Sequence, residues 1–539
     1  MENLAIAQIF SEIADLLEIK ADNSFKIRAY RNASETIAHA TDKLAYLTEA
    51  QLRAIPGIGK ELASTIREIA ETGEARYHQE LLEQFPPTIL DLLRLQGVGP
   101  KTVALLYTEL GIKNIDELEA ACADGRVRGL KGLGPKKELL ILRACGERKQ
   151  HAGRHLLPDA TEAAALLLDY LRAECPTVVF ENVGSIRRGA ETSGDIDILA
   201  TGVDPHVMST FTMYKLVERI LGQGDTKSSV RLWGGIQADL RLVPEESRGA
   251  AMQYFTGSKS HNIALRDRAI AHGFKLNEYG LFRVDDGTLV AGRTETEIYE
   301  ALGLSDIPAE LREGRGEIEA AEQRTLPELI TLQDIRGDIH SHTTETDGRE
   351  DIESMAIAAR AAGLQYLAIT DHSKALTMAN GLDEYRAIAH ARRVREIGDR
   401  LDGLTLLAGI ECDILPDGSM DLADDCLAEL DVVVASVHSA FNQDASQMTD
   451  RMLRAVANPF VDIIGHPTGR ILLRREPYTL DVLTLFDAAA AAGVALEINS
   501  QVDRLDLSDA NAKAARDRGV NIVISTDAHS VGGFKVMKW

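Results

Sequence analysis

GSIRRGAETSGDIDIL, residues 184–199, is the stretch on which the reading of this chain turns. In an extended run alternate side chains share a face, so Asp195 and Asp197 stand together on one side of a predicted strand. A third acid, Asp239, lies in QADLRLV (237–243), a second predicted strand that can lie beside the first. Three carboxylates converging on one sheet edge are the oxygen-rich set that hard divalent cations take. Two such cations activate a hydroxyl and stabilise a pyrophosphate leaving group in an in-line displacement. A DxD by itself is weak, because surface turns carry many. Its neighbours strengthen it: Gly184 and Ser185 open the segment, and Arg187 and Arg188 offer guanidinium groups to phosphate oxygens.

N-terminal to this stretch the first 150 residues read as helices broken by short glycine turns. One pattern recurs there as IPGIGK (55–60), LQGVGPK (95–101) and LKGLGPKK (130–137), each followed by an apolar-periodic helix. The glycine pairs Gly57 and Gly59, Gly97 and Gly99, and Gly132 and Gly134 let backbone approach a phosphate with no Cβ in the way. Helix N–H groups then face the anion, and Lys60, Lys101, Lys136 and Lys137 add charge. Such contacts position a protein on nucleic acid without reading sequence. A single copy would pass for an ordinary helix–turn–helix connection with glycine at the cap; the repetition argues for a DNA-backbone module.

C-terminal to the stretch, an acidic segment with two prolines (305–330) reads as a linker. From residue 335 apolar strands and helices alternate steadily, the pattern of an α/β barrel with its active residues at strand C-termini. Ligand-type residues follow those strands: His340 and His342, then Asp347, His372, Glu411, His438, His466, Asp527 and His529. Imidazoles mixed with carboxylates, and no thiolate, suit Zn²⁺, Mn²⁺ or Fe²⁺. The set is large enough for up to three ions with positions left for water and phosphate, which points to metal-assisted attack on phosphorus. Asp371 and Asp413 adjoin ligands and read as their supporting partners. His390, on a helix, reads as a surface residue.

A chain of 539 residues is too long for one core. The net charge of −24 argues on its face against nucleic acid. The charge is uneven, however: the first 150 residues are only about 2 below neutral, while those after 330 are roughly 13 below. The acidic half can hold cations. The 5 cysteines show no CxxC pair and read as reduced thiols. No apolar run approaches membrane-spanning length and no secretory pattern opens the chain, so a cytoplasmic, nucleoid-associated protein is expected.

At this point a resemblance becomes specific. The 184–199 segment, YFTGSKSHNIALRDRA (254–269) and GFKLNEYGLF (273–282) together resemble the family X DNA polymerases, over roughly 1–300. The resemblance implies that Asp195, Asp197 and Asp239 are catalytic acids holding two Mg²⁺ or Mn²⁺, with Ser185 and Arg188 at the β- and γ-phosphates and Gly184, Gly194 and Gly257 also binding the nucleotide. It places Tyr254 and Phe255 at the sugar, with Tyr254 excluding a ribose 2′-hydroxyl, Asn262 in the base minor groove and Arg266 on the template side. Residues 335–539 resemble the PHP domain, with all nine ligand positions filled, which implies a Mn²⁺-favouring 3′→5′ exonuclease. Family members usually continue through a further helix beyond the position of Trp539. Those that excise an abasic sugar carry a lysine where this chain has Thr65, with Glu61 one turn earlier, so weak or no lyase activity is expected; turnover that vanishes in Lys60→Ala would contradict this.

The expected architecture is a helical DNA-end-binding domain (1–85), a fingers-like helical domain (86–155), an α+β palm (156–245), a thumb (246–308), a linker (309–334) and a distorted, about seven-stranded PHP barrel (335–539). The expected substrates are gapped or nicked double-stranded DNA and dNTPs, handled by a monomer without membrane contact. The alternatives are a nucleotidyltransferase with a phosphatase acting on small molecules, a polymerase with a structural PHP domain, and a non-catalytic DNA-end scaffold.

Overall fold

The structure is a computed structural model, and it describes residues 3–38, 44–55, 57–86, 88–93, 95, 98–150 and 153–539. The first part is helical. In each glycine repeat the middle residue plugs the core, Ile58, Val98 and Leu133 being each 3 % exposed, while Gly57, Gly59, Gly99, Gly132 and Gly134 face solvent. Burying such a side chain contributes roughly 1.5–3 kcal/mol, enough to fix the turn against the helices behind it. Gly57 and Gly132 hold φ of 86° and 84°, a conformation that a side chain disfavours. Gly59 and Gly99 then cap the helices Lys60–Thr72 and Pro100–Leu110 without a side-chain acceptor, which leaves helix N–H groups for an external anion. Gly97 lies outside the described residues. Buried side chains from Ile6 to Cys145 form one continuous cluster, so the boundary expected at 85/86 falls inside a shared core.

The palm is a five-stranded sheet in the order Val179–Asn182, Asp195–Thr201, Gln237–Val243, Lys227–Leu232, Val217–Gln223. Helix Leu157–Glu174 covers one face with Ala160, Ala164, Leu167 and Leu171 at the 3–4 spacing of an amphipathic helix. Asp195–Thr201 and Gln237–Val243 are parallel neighbours, with Asp197 directly opposite Asp239. The thumb follows as helices Arg248–Thr256 and Lys259–Ala271, a three-stranded sheet and helix Glu295–Ala301.

The linker expected at 309–334 is corrected in its first half. Helix Glu317–Gln323 docks Ile318 and Ala321 into the thumb core. Buried Glu317 accepts from the Gly314 and Arg315 amides and sits 2.8 Å from Nδ1 of fully buried His261. The acidic composition read as a linker; Glu317 is instead taken up by a buried imidazole and two amides.

The C-terminal part is a seven-stranded, all-parallel sheet whose strand order follows the sequence. Its strands, such as fully buried Val432–Ser436, are near-continuous apolar runs, as a sheet covered by helices requires. A parallel bridge between Ser341 and Ala528 brings the last strand to the first, so the barrel is nearly closed. Phe534, in the short helix Gly533–Lys538, packs into this core.

Candidate functional site

Two centres emerge. On the palm, Asp195, Asp197 and Asp239 gather on one edge because two parallel strands meet in register there. Burial, then the neighbouring Asp195 and Asp239, pushes the Asp197 carboxyl up to about 7. Burial and Asp239 raise Asp195 as well. Mutual repulsion of this kind marks a site whose charge is meant to be neutralised by cations. Lys227 Nζ lies 3.2 Å from Asp239 Oδ2, and Gln237 Nε2 donates to Asp239 Oδ1 at 2.9 Å. The sequence reading missed both neighbours. A Cβ on Gly184, whose φ is 66°, would stand 2.3 Å from Asp197 Oδ2, so only glycine lets this turn press against the acid.

The turn's other residues are brought in as expected, but with partners already in place. Ser185 Oγ meets Ser193 Oγ at 2.6 Å, and Ser193 donates to the Asp195 carbonyl at 2.6 Å. Arg188 donates to Glu313 at 2.7 Å and to the Thr256 carbonyl at 2.5 Å. Arg187 forms a two-pronged pair with Glu295 at 2.8 and 2.6 Å, tying palm to thumb. A Cβ on Gly257 would crowd Arg188 at 3.3 Å, while one on Gly194 would meet open space. Tyr254 and Phe255 pack edge-to-face, and Arg241 lies over the Phe255 ring at 4.9 Å. Asn262 donates to the Tyr254 carbonyl at 2.7 Å and accepts from Gln253 at 2.8 Å; Arg266 is exposed beside it.

In the helical part Lys60, Lys101 and Lys136 are exposed beside their turns. Thr65 is 7 % exposed and donates to the Glu61 carbonyl at 3.1 Å, so the position is sealed into its helix.

The second centre lies in the barrel mouth, where all nine expected residues converge. Three overlapping donor sets form: His342, Asp347, His372 and His529; His340, His342 and Asp527; His372, Glu411 and His438. His466 joins through Nε2, 3.0 Å from Glu411 Oε1. Buried His340 Nε2, His342 Nδ1, His372 Nδ1, Glu411 Oε2, His438 Nδ1 and His466 Nδ1 have no hydrogen-bond partner among the described residues. Several of these atoms face only one another's carboxylates and rings, as His372 Nδ1 does Glu411 Oε2 at 2.8 Å, and such a buried donor set without hydrogen-bond geometry fits a multinuclear metal centre. Burial and repulsion from His529 and His372 push His342 down to about 4, while burial is outweighed at His372 by Glu411 and Asp347, which raise it to about 10. Burial is likewise outweighed at Glu411 by its ring of histidines, which hold its carboxyl well below the usual range.

Supporting contacts refine the reading. Asp371 accepts from the Thr343 amide and hydroxyl at 2.8 and 2.6 Å, and Asp413 Oδ1 lies 3.3 Å from His438 Nδ1. His390 is not on the surface: it is 3 % exposed, with Nε2 2.8 Å from Asp371 Oδ2. It shares the inward face of its helix with Ala387, Ala391 and Val394, and the carboxylate gives a buried imidazole its partner. Glu497, which was missed, is fully buried with Oε1 2.7 Å from His340 Nδ1, and accepts from the Ser525 hydroxyl and the His466 amide, both at 2.6 Å. An acid inside the otherwise apolar strand VALEINS was the available signal.

Comparison with known proteins agrees with this layout. Family models match for a helix-hairpin-helix domain (1–75), a SAM-like helix-hairpin-helix tandem (89–147), the DNA polymerase beta palm (158–234) and thumb (251–313), and the PHP domain (338–501). The DNA polymerase/3′-5′ exonuclease PolX of Bacillus subtilis (strain 168) is 37 % identical over 541 residues, covering 100 % of this chain and 94 % of its own. A probable phosphatase of Thermoanaerobacter sp. (strain X514) is 31 % identical over 212 residues, 37 % of this chain and 82 % of its own length. One from Shewanella sp. (strain ANA-3) is 34 % identical over 211 residues, 36 % of this chain and 79 % of its own.

Proposed function

The chain belongs to the family X DNA polymerases with a C-terminal PHP domain and is a DNA polymerase with a 3′→5′ exonuclease; on that premise we propose that it fills short gaps in DNA repair and trims the 3′ ends it extends. The observation that carries this is the register that sets Asp197 opposite Asp239 beside Asp195 and the Gly184–Arg188 turn. In this reading the three aspartates hold two Mg²⁺ or Mn²⁺, which supply Lewis acidity for phosphoryl transfer. Ser185, Arg188 and Gly194 receive the triphosphate. Arg188 reaches it by exchanging its single Glu313 contact for phosphate oxygens, which can accept from two guanidinium N–H groups at once. Tyr254, Phe255 and Gly257 shape the sugar pocket, and Asn262 and Arg266 face the base pair.

In the barrel the nine ligands hold up to three Mn²⁺, Zn²⁺ or Fe²⁺, and a 3′-terminal phosphodiester is the substrate. Glu497 fixes the His340 ring so that Nε2 faces the centre. The helix-hairpin-helix turns grip the DNA backbone at gaps and nicks, which accounts for a nucleic-acid enzyme with a charge of −24. Among the described residues no helix is long and apolar enough to cross a membrane; the proposed setting is the cytoplasmic nucleoid, with the chain acting as a monomer.

The test is a denaturing gel of 5′-labelled primer at a one-nucleotide gap in Mn²⁺, with and without dNTPs. Extension with dNTPs and shortening without them is the expected outcome. Extension alone would leave the barrel as a structural domain. Neither would favour small-molecule substrates for both centres.

A further inference from the structure

The two centres are joined by one partly buried ion pair. Arg470 lies in the barrel, four residues after the ligand His466, and its guanidinium is only 11 % exposed. It donates to both oxygens of Glu191 in the palm, at 3.0 and 2.5 Å, and to the Leu505 carbonyl. On the barrel side that geometry is rigid. The 466–472 and 503–506 loops are zipped by Leu472 N to the Asp503 carbonyl at 2.6 Å, and by the Thr468 amide and hydroxyl to buried Asp506 at 3.0 and 2.9 Å.

On the palm side Glu191 heads the 191–194 segment that leads into Asp195. That segment is held from three directions. Arg154 donates to the Thr192 hydroxyl at 2.8 Å and carbonyl at 2.6 Å, and strand His155–Leu156 pairs with Thr192–Ser193. Ser193 links Ser185 to the Asp195 backbone. Arg470 supplies the third hold, through Glu191. It is the one that comes from the other catalytic domain.

We propose that Arg470 is a positioning residue of the polymerase reaction: a barrel side chain that, through Glu191, fixes the palm loop presenting Ser193 and Gly194 to the nucleotide triphosphate, while Asp195 is held in its strand by pairing with Gln237. The inference rests on the polymerase reading of the palm. A bidentate guanidinium–carboxylate pair fixes orientation as well as distance, so its loss frees the loop's approach to the phosphates while leaving the catalytic carboxylates in place. The signature is therefore weaker nucleotide binding more than slower chemistry.

The experiment is single-nucleotide gap filling by the full chain, with KM for dNTP and kcat measured separately. Glu191→Ala and Arg470→Ala are each expected to raise KM about tenfold, the worth of one charged hydrogen-bonded pair, with kcat changed less than about twofold. The double variant should be no worse than either single one. Arg470→Lys, which keeps charge but not the fork, should fall between. Glu191→Ala should retain wild-type exonuclease on single-stranded DNA and a wild-type melting curve, so a change in folding cannot pass for the effect. Unchanged KM in Glu191→Ala, multiplying effects in the double variant, or a loss confined to kcat would each overturn the proposal. Should Arg470→Ala fail to fold, Glu191→Ala and Arg470→Lys decide it. No incorporation by the wild-type chain would instead defeat the polymerase reading itself.

Discussion

The palm centre and the barrel centre hold the same kind of cargo in opposite ways. The palm offers three half-buried carboxylates and no imidazole, and burial together with their repulsion pushes Asp197 up to about 7. The barrel offers largely buried imidazoles interleaved with carboxylates, so neutral donors separate the acids. Around the palm the cationic residues are engaged by neighbouring acids, Arg188 by Glu313 and Lys227 by Asp239. Around the barrel the ligands are locked by a buried second layer, with Glu497 and Asp371 each fixing several groups. The first arrangement suits cations that come and go with the nucleotide; the second suits resident ions. A polymerase must release pyrophosphate at every turnover, whereas a hydrolytic site gains from a centre that persists.

The sharpest way to break this comparison is to disable one centre at a time. Asp195→Ala with Asp197→Ala should lower nucleotide incorporation by at least about 10³-fold, the loss of several kcal/mol of metal-mediated stabilisation, with exonuclease retained. His340→Ala with His342→Ala should do the converse. Primer-extension and end-labelled degradation assays on the same preparations decide it. Loss of both activities in either variant would show that the centres are not separate.

If the barrel is preorganised by its second layer, removing that layer should matter nearly as much as removing a ligand. Glu497→Gln keeps the shape but replaces the anion facing His340 Nδ1. About a 10- to 100-fold loss in Mn²⁺ affinity is expected, read from the metal dependence of exonuclease activity. Polymerase activity should not move. An unchanged Mn²⁺ titration would mean that Glu497 merely fills space.

Glu497 also marks how far the sequence could be read. The strand–helix rhythm, the Asp-x-Asp strand and the nine converging His, Asp and Glu residues were legible because each is local: a period, a spacing or a residue after an apolar run. Residues acting through tertiary pairing were not. His390 looked superficial because its partner Asp371 lies on another element, and the segment around Glu317 read as a linker because His261 lies far upstream. Glu191 and Arg470 are 279 positions apart, a separation at which no local pattern survives. Glu497 was within reach, since an acid inside a buried strand demands a partner, but the partner's identity required the fold.

The palm's crowded carboxylates predict a pH effect on stability that one substitution can isolate. Asp197 has a folded value of about 7, above its unfolded one, so the neutral carboxyl is the form favoured by folding. Its contribution is full below about 4 and is lost as pH rises through about 7. In EDTA, Asp197→Asn should therefore melt higher than wild type at pH 8, by about 2 to 4 °C, and the difference should vanish near pH 4. Saturating Mg²⁺ should remove the advantage, because the ion stabilises the charged wild-type site. Equal melting at both pH values would mean that Asp197 titrates as an ordinary surface acid.

The smallest effect tests the idea that palm cations are exchangeable. Lys227 Nζ sits 3.2 Å from Asp239 Oδ2, and its side chain is 44 % exposed. An ammonium there neutralises part of the carboxylate edge in the absence of a divalent ion, and it competes for the same oxygen when one binds. Because the pair is solvated it is worth only about 0.2–1 kcal/mol, so Lys227→Ala should lower the Mg²⁺ half-saturation for gap filling by no more than about fivefold. Its exonuclease should follow the wild-type Mn²⁺ curve throughout. A rise in the Mg²⁺ requirement would reverse the assignment: Lys227 would then be holding Asp239 in the conformation that binds metal, and the palm edge would be preorganised by its own cation much as the barrel is by Glu497.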